Sequence, residues 1–189
     1  MSKKLCLAIA VLGLTAGSAA LAQEAKVVLG PTLLDQCANA AAEAQKSGAA
    51  DNVAFDLCTD AIDRAWATHG QQAVGYLDRG TLHRVAGETE LAIRDFTRAI
   101  EDDPSLAAAY NDRGAAYSAL HRPADAVRDY TRALALHADN EAQILFNRAL
   151  AYEDQGETKL AYLDYQAAAQ LNPGWDLPAK QLARFAVGH

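Results

Sequence analysis

The chain has 189 residues and carries 17 Lys and Arg against 24 Asp and Glu, for a net charge of −7. An acidic balance with no basic stripe argues against nucleic acid as the partner. The length suits one elongated domain whose contacts run between neighbouring segments.

The N-terminus reads as an export signal. Lys3 and Lys4 precede an apolar run from Leu5 to Leu14 and small residues ending Ala20-Leu21-Ala22, the charged, apolar, A-x-A order of a secretory leader. Cleavage is expected after Ala22, giving a periplasmic or secreted protein with no stable membrane insertion. No cysteine comes directly after that point, so lipid attachment is not expected. The other reading is a retained anchor, because Leu5 to Gln23 is uncharged; its second half of Thr, Gly, Ser and Ala is weakly apolar for a bilayer span. Removing residues 1–22 takes away two lysines and no acid, leaving a net charge of −9. Residues 23–34 form an extension in which Val27-Val28-Leu29-Gly30-Pro31 is apolar enough to cover part of the array behind it.

A helix is expected from about Leu33 to Lys46, stopped by Ser47-Gly48. Further on, Ala54-x-x-x-Cys58-Thr59-Asp60-Ala61-Ile62 matches Ala92-x-x-x-Phe96-Thr97-Arg98-Ala99-Ile100. Residues 35–72 therefore read as a degenerate hairpin, joined to the next unit by a long connection from Trp66 to Gln72. In this alignment Ala42 answers to Gly80, and Cys37 and Cys58 lie at nearly the same level on two antiparallel helices, as a disulfide requires. Cys6 leaves with the leader, so an exported chain is expected to carry a Cys37–Cys58 bridge. Around these thiols no His, Asp or Cys stands at ligand spacing, and no metal is expected.

Three better units come next, at residues 73–106, 107–141 and 142–175. They share Tyr76-x-x-Arg79-Gly80-x-x-His83, Tyr110-x-x-Arg113-Gly114-x-x-Tyr117 and Leu145-x-x-Arg148-Ala149-x-x-Tyr152, then Ala92/Phe96, Ala126/Tyr130 and Ala161/Tyr165. Gly80 and Gly114 are 34 residues apart, and Gly114 and Ala149 are 35 apart, the extra residue falling in the linker 137–141. Such a period marks a stacked repeat array. Each unit reads as helix, turn, helix, with turns at Gly87-Glu88, His121-Arg122-Pro123 and Gly156-Glu157. Pro104 and Pro173 close the first and third units, since proline cannot continue a helix. Within an antiparallel hairpin Gly80 faces Ala92, and small residues there allow close backbone approach. The same geometry pairs Arg79 with Asp95, Arg113 with Asp129 and Arg148 with Asp164 across each hairpin; the competing reading has the three arginines binding an anionic ligand. Residues 176–189, with Leu177, Leu182, Phe185 and Ala186 set among Lys180, Gln181 and Arg184, suit an amphipathic capping helix. A membrane-surface helix is the weaker alternative, because basic residues are few.

The period together with the aromatic, small, Tyr, Ala, aromatic and Pro positions resembles the tetratricopeptide repeat family. The resemblance covers residues 73 to 173. Arg at 79, 113 and 148 stands where the family most often has Leu, and His83 stands for a Tyr. It implies an all-α solenoid, an α-α superhelix of antiparallel hairpins closed by the capping helix. It also implies that the first helix of each unit lines a concave groove: Val74, Leu77, Thr81 and Arg84; then Ala108, Asn111, Ala115 and Ser118; then Gln143, Phe146, Leu150 and Glu153. The family's clamp for C-terminal carboxylates needs Lys, Arg and Asn at several of these places, and Leu77, Thr81 and Gln143 do not match it. Leu77, Phe146 and Leu150 remain as apolar anchors for an extended or helical peptide.

No G-x-S-x-G, H-E-x-x-H, P-loop or dinucleotide turn occurs. The histidines are scattered, and His83 in a tyrosine's place reads as a packing residue. The sequence therefore points to a non-enzyme without cofactor that binds another protein or peptide, or else to a self-associating subunit whose groove is buried in a homo-oligomer.

Overall fold

The computed structural model describes residues 32–64 and 69–186. The leader, the extension as far as Pro31, the connection through Trp66 and the last three residues lie outside the described residues. Among those described there are nine α-helices and no strand: α1 Leu33–Ser47, α2 Asn52–Arg64, α3 His69–Val85, α4 Thr89–Asp102, α5 Ala107–Ala119, α6 Pro123–Ala135, α7 Glu141–Asp154, α8 Thr158–Leu171 and α9 Asp176–Ala186. They pair as α1/α2, α3/α4, α5/α6 and α7/α8, each hairpin packs on the next, and α9 packs on α8. The first helices also meet one another, α1 with α3, α3 with α5 and α5 with α7. This is an all-α repeat solenoid.

Each hairpin turns through one residue of positive φ: Gly48 at 72°, Gly87 at 78°, His121 at 55° and Gly156 at 78°. In the last three the turn closes with paired bonds, for example Glu88 N–H to His83 O (2.8 Å) and Gly87 N–H to Arg84 O (3.1 Å). These bonds satisfy carbonyls that a helix end leaves open. Glycine suits the left-handed place because it has no Cβ to clash; His121 occupies the same place with one.

The turn residues correct two expectations. Gly87 lies seven residues after Gly80, and Gly48 lies seven after Ala41, not Ala42. Ala41 is buried and Ala42 exposed, so Ala41 is the counterpart of Gly80, and the loop before α2 is one residue longer than the others. At the next junction His69 to Gln72 are helical, so much of the expected connection belongs to α3, which runs for 17 residues.

With the register set by Ala41, Cys37 answers to Tyr76, Tyr110 and Leu145, and Cys58 to Phe96, Tyr130 and Tyr165. The two sulfurs are bonded, with Cα atoms 4.7 Å apart, and both residues are fully buried. A covalent link thus holds the first hairpin where side-chain packing holds the rest. Phe96, Tyr130 and Tyr165 are buried between hairpins. A Cβ on Gly80 would come within 2.7 Å of the Phe96 ring, and one on Gly114 within 3.0 Å of Tyr130. The absent side chain leaves the space that the ring fills.

Candidate functional site

Two faces of the array carry polar side chains, the seams between hairpins and the strip along the first helices. At the seams the arginines are engaged internally. Arg79 donates from Nε and Nη2 to Asp95 (2.8 and 2.9 Å), Arg113 to Asp129 (2.7 and 2.9 Å) and Arg148 to Asp164 (2.7 and 2.9 Å). The third nitrogen, Nη1, reaches back to the preceding hairpin, to Thr59 (3.3 Å), Thr97 (3.0 Å) and Thr131 (3.0 Å). Each guanidinium therefore ties its own hairpin to the previous one with a geometry that only Arg offers. Sequence reasoning missed the threonines, although each directly follows Cys58, Phe96 or Tyr130 in the register. Burial works against the charge of Arg113 and Arg148, but the bonds and charge of Asp129 and Asp164 outweigh it, and both stay above the ordinary arginine range.

His83 lies against Phe55 (ring centroids 4.7 Å apart), and its Nδ1 is 2.7 Å from Glu88 Oε2. Around it two clefts of about 330 and 420 Å³ share Arg79, His83 and Leu91.

The strip on α3, α5 and α7 holds the residues expected in the groove, in three different settings. Val74 and Leu150 are exposed, at 38% and 39%. Ala108 and Gln143 are exposed as well, while Leu77, Arg84, Asn111, Ala115, Ser118 and Glu153 are half-buried. Thr81 and Phe146 are buried, at 3% and 8%. Phe146 is therefore not an open anchor: it packs against Trp175 (4.9 Å) and Tyr165 (5.3 Å), because the chain leading into α9 folds over it. Leu77 likewise packs against the core of Ala92, Phe96 and Ala116. Glu153 accepts a bond from the Tyr165 hydroxyl (2.8 Å) and lies 3.5 Å from Arg184 of α9. Burial, then that bond, pushes the Tyr165 hydroxyl well above the usual tyrosine range. At the loop end Gln143 lines a cleft of about 570 Å³ with Asp139, Glu141, Leu171 and Trp175.

Two carboxylates on the strip were not singled out from the sequence. Asp78 and Asp112 stand nine residues before Gly87 and His121, beside Leu77 and Asn111. Burial raises both. For Asp112 the charge of Arg84 and a bond from Asn111 Nδ2 (3.0 Å) offset part of that rise. Asp78 has no such offset among the described residues and is pushed up to about 6. It lies 3.8 Å from Cys37 Sγ, a disulfide sulfur with no proton to donate. Arg84 Nε and Asn111 Oδ1, in the same strip, are buried without hydrogen-bond partners among the described residues.

Residues 142–174 match the tetratricopeptide repeat family. Comparison with curated proteins gives no match. Among solved structures the chain is similar to the first such domain of Spaghetti (RPAP3) bound to an HSP90 peptide, SRMEEVD, at 22% identity over 65% of this chain and 96% of that one, TM-score 0.60. It is also similar to the second domain of human RPAP3 in complex with an HSP70 peptide, SGPTIEEVD (27% identity, 61% and 96% coverage, TM-score 0.58). A third similar structure is MamA, at 18% identity over 87% of this chain and 88% of that one, TM-score 0.61. The family match is confined to residues 142–174, and the likeness to these domains shows that the described residues share their fold.

Proposed function

We propose that the chain is an exported, non-enzymatic interaction scaffold that holds a segment of another protein along its first helices. One observation carries this reading. The seam arginines and aspartates are consumed by internal bonds, whereas the strip on α3, α5 and α7 changes from repeat to repeat and leaves Val74 and Leu150 open. Apolar side chains exposed among polar ones suit a polypeptide partner. The peptide complexes of the RPAP3 domains support a peptide as the ligand class. Export to an oxidising compartment is supported by the leader pattern of residues 1–22 and by the Cys37–Cys58 bond.

The test is affinity capture with the wild-type protein and with Val74→Asp/Leu150→Asp, followed by identification of bound proteins. Wild type should retain a discrete set of partners that the double variant loses at unchanged helical content. Identical capture by both would remove the groove from consideration. A self-associating subunit is the second reading, favoured by Leu160, Leu163 and Leu171, which lie exposed on one side of α8. A monomeric mass at micromolar concentration would dismiss it. Finding Gln23 at the amino terminus of the exported protein would establish cleavage.

A further inference from the structure

Asp112 shows what this strip does with a carboxylate. Arg84, three residues before the Gly87 turn on the preceding first helix, brings a positive charge to it. One repeat earlier the arrangement is left half-made. Asp78 is the counterpart of Asp112, but the residue three before the Gly48 turn is Gln45, which is neutral and exposed. Among the described residues no neighbouring charge acts on Asp78, which sits half-buried on α3 against the disulfide. A partly desolvated carboxylate without a cation is costly in isolation, and a group of that kind marks a place where a ligand can supply the missing charge.

We propose that Asp78 is the recognition point for a Lys or Arg side chain on the bound partner segment, with an apolar neighbour of that residue resting on Val74. The proposal rests on the groove reading above and narrows it to a partner class. Val74 lies one helical turn from Asp78 on the same face of α3 and is exposed. On α1 the register sets the short side chains of Ala38 and Ala42 where α3 has Leu77 and Thr81. The charge sense is opposite to that of the peptides bound by the RPAP3 domains, SRMEEVD and SGPTIEEVD, both of which end in acidic residues. A charge-assisted hydrogen bond from ammonium or guanidinium to Asp78 also confers selectivity, because an acidic or neutral side chain there leaves the carboxylate uncompensated.

A random-peptide phage library panned on the purified full chain tests this. Selected peptides should carry Lys or Arg next to an apolar residue more often than the unselected library. Their affinity should fall at least about tenfold on Asp78→Asn, the loss of one charged hydrogen bond, and should also fall on Val74→Ser, which removes the apolar contact without adding charge. The unfolding midpoint of Asp78→Asn, at or above that of wild type, shows that the loss is not misfolding. Peptides that require Val74, lack any cationic excess and bind Asp78→Asn as well as wild type would overturn the proposal and leave the groove reading intact. Failure to select any peptide sensitive to Val74→Ser would overturn both. Tighter binding after deletion of residues 23–31 than by wild type would mean that the chain's own extension competes for this site, which overturns the assignment to a partner.

Discussion

Asp78→Asn is expected to stabilise the protein at neutral and alkaline pH. Burial raises the Asp78 carboxyl from 3.8 to about 6, so the folded state binds its proton more tightly than the unfolded chain does. A raised carboxyl contributes stability that is whole below its unfolded value and is lost as pH climbs through the folded one. Near pH 8 the side chain is charged in both states, and the fold carries the desolvation cost. Two pH units correspond to about 3 kcal/mol; because part of the group meets solvent, screening brings this to about 1–2 kcal/mol. Asn has the same shape and no charge. The variant should therefore exceed wild type by about 1–2 kcal/mol at pH 8 and match it near pH 3.5. Urea unfolding followed by circular dichroism at both pH values measures this, and only the difference between the two proteins counts, since every other titrating group is common to both. Gln45→Arg is the reciprocal change, supplying from α1 the charge that Arg84 brings to Asp112, and it should move stability in the same direction. Equal midpoints for Asp78→Asn and wild type at pH 8 would show that the carboxylate is compensated, and the reasoning would fail.

Removing one partner of a seam clamp, as in Asp129→Ala, leaves Arg113 charged and unpaired at a cost of about 3 kcal/mol, whereas replacing both (Arg113→Met with Asp129→Leu) should recover most of it; denaturant titration of the three proteins gives the comparison. Cys37→Ser/Cys58→Ser should lose about 3 kcal/mol by the chain-entropy model. Hydrogen exchange should quicken in α1 and α2 while α7 and α8 stay protected, because contacts in the array run mainly between neighbours. Gly80→Ala drives a methyl into the Phe96 ring and should cost about 1–3 kcal/mol; an unchanged thermal midpoint would mean that the ring moves aside freely.

The parts of the fold legible in the sequence are those that recur with the period. Turn residues, the small residues and aromatics between helices and the Arg–Asp pairs each appear at a fixed offset, and local chemistry explains each of them. The threonines that accept from Arg79, Arg113 and Arg148 recur too, but their purpose shows only when consecutive hairpins are stacked. The register of the first hairpin went astray by one residue because Ala41 and Ala42 look alike in sequence; only burial and the turn at Gly48 separate them. Phe146 read as an open anchor because Trp175, which covers it, stands at the very end of the last unit, just past the Pro173 where the resemblance stops. Asp78 escaped notice for a related reason: its distinguishing feature is the charge that Gln45, on another helix, does not provide.

On the proposed reading, the array divides stability and recognition between different positions of the same repeat. Arg79, Arg113 and Arg148 with their aspartates and threonines do the same task three times, and each joins two hairpins, so a change at any of them weakens an interface on which the stack depends. Groove positions are not uniform in this way: Val74, Ala108 and Gln143 are exposed, whereas Leu77, Phe146 and Glu153 are tied into local packing. Val74, Ala108 and Gln143 occupy equivalent places, as do Leu77, Asn111 and Phe146, or Arg84, Ser118 and Glu153, and they share neither size nor charge. Helix packing tolerates this because the side of each first helix that meets its hairpin partner stays small and apolar, with Gly80, Gly114 and Ala149 buried. Differences at the exposed positions of the strip therefore change the face it offers while the seam clamps stay the same. Asp78 is the extreme case: the position carries a carboxylate in two repeats, but only the second has a cation from the preceding helix. An asymmetry of that sort has no use in holding hairpins together, since above about pH 6 it weakens the fold if nothing binds. It is understandable as a site whose counter-charge comes from outside the chain.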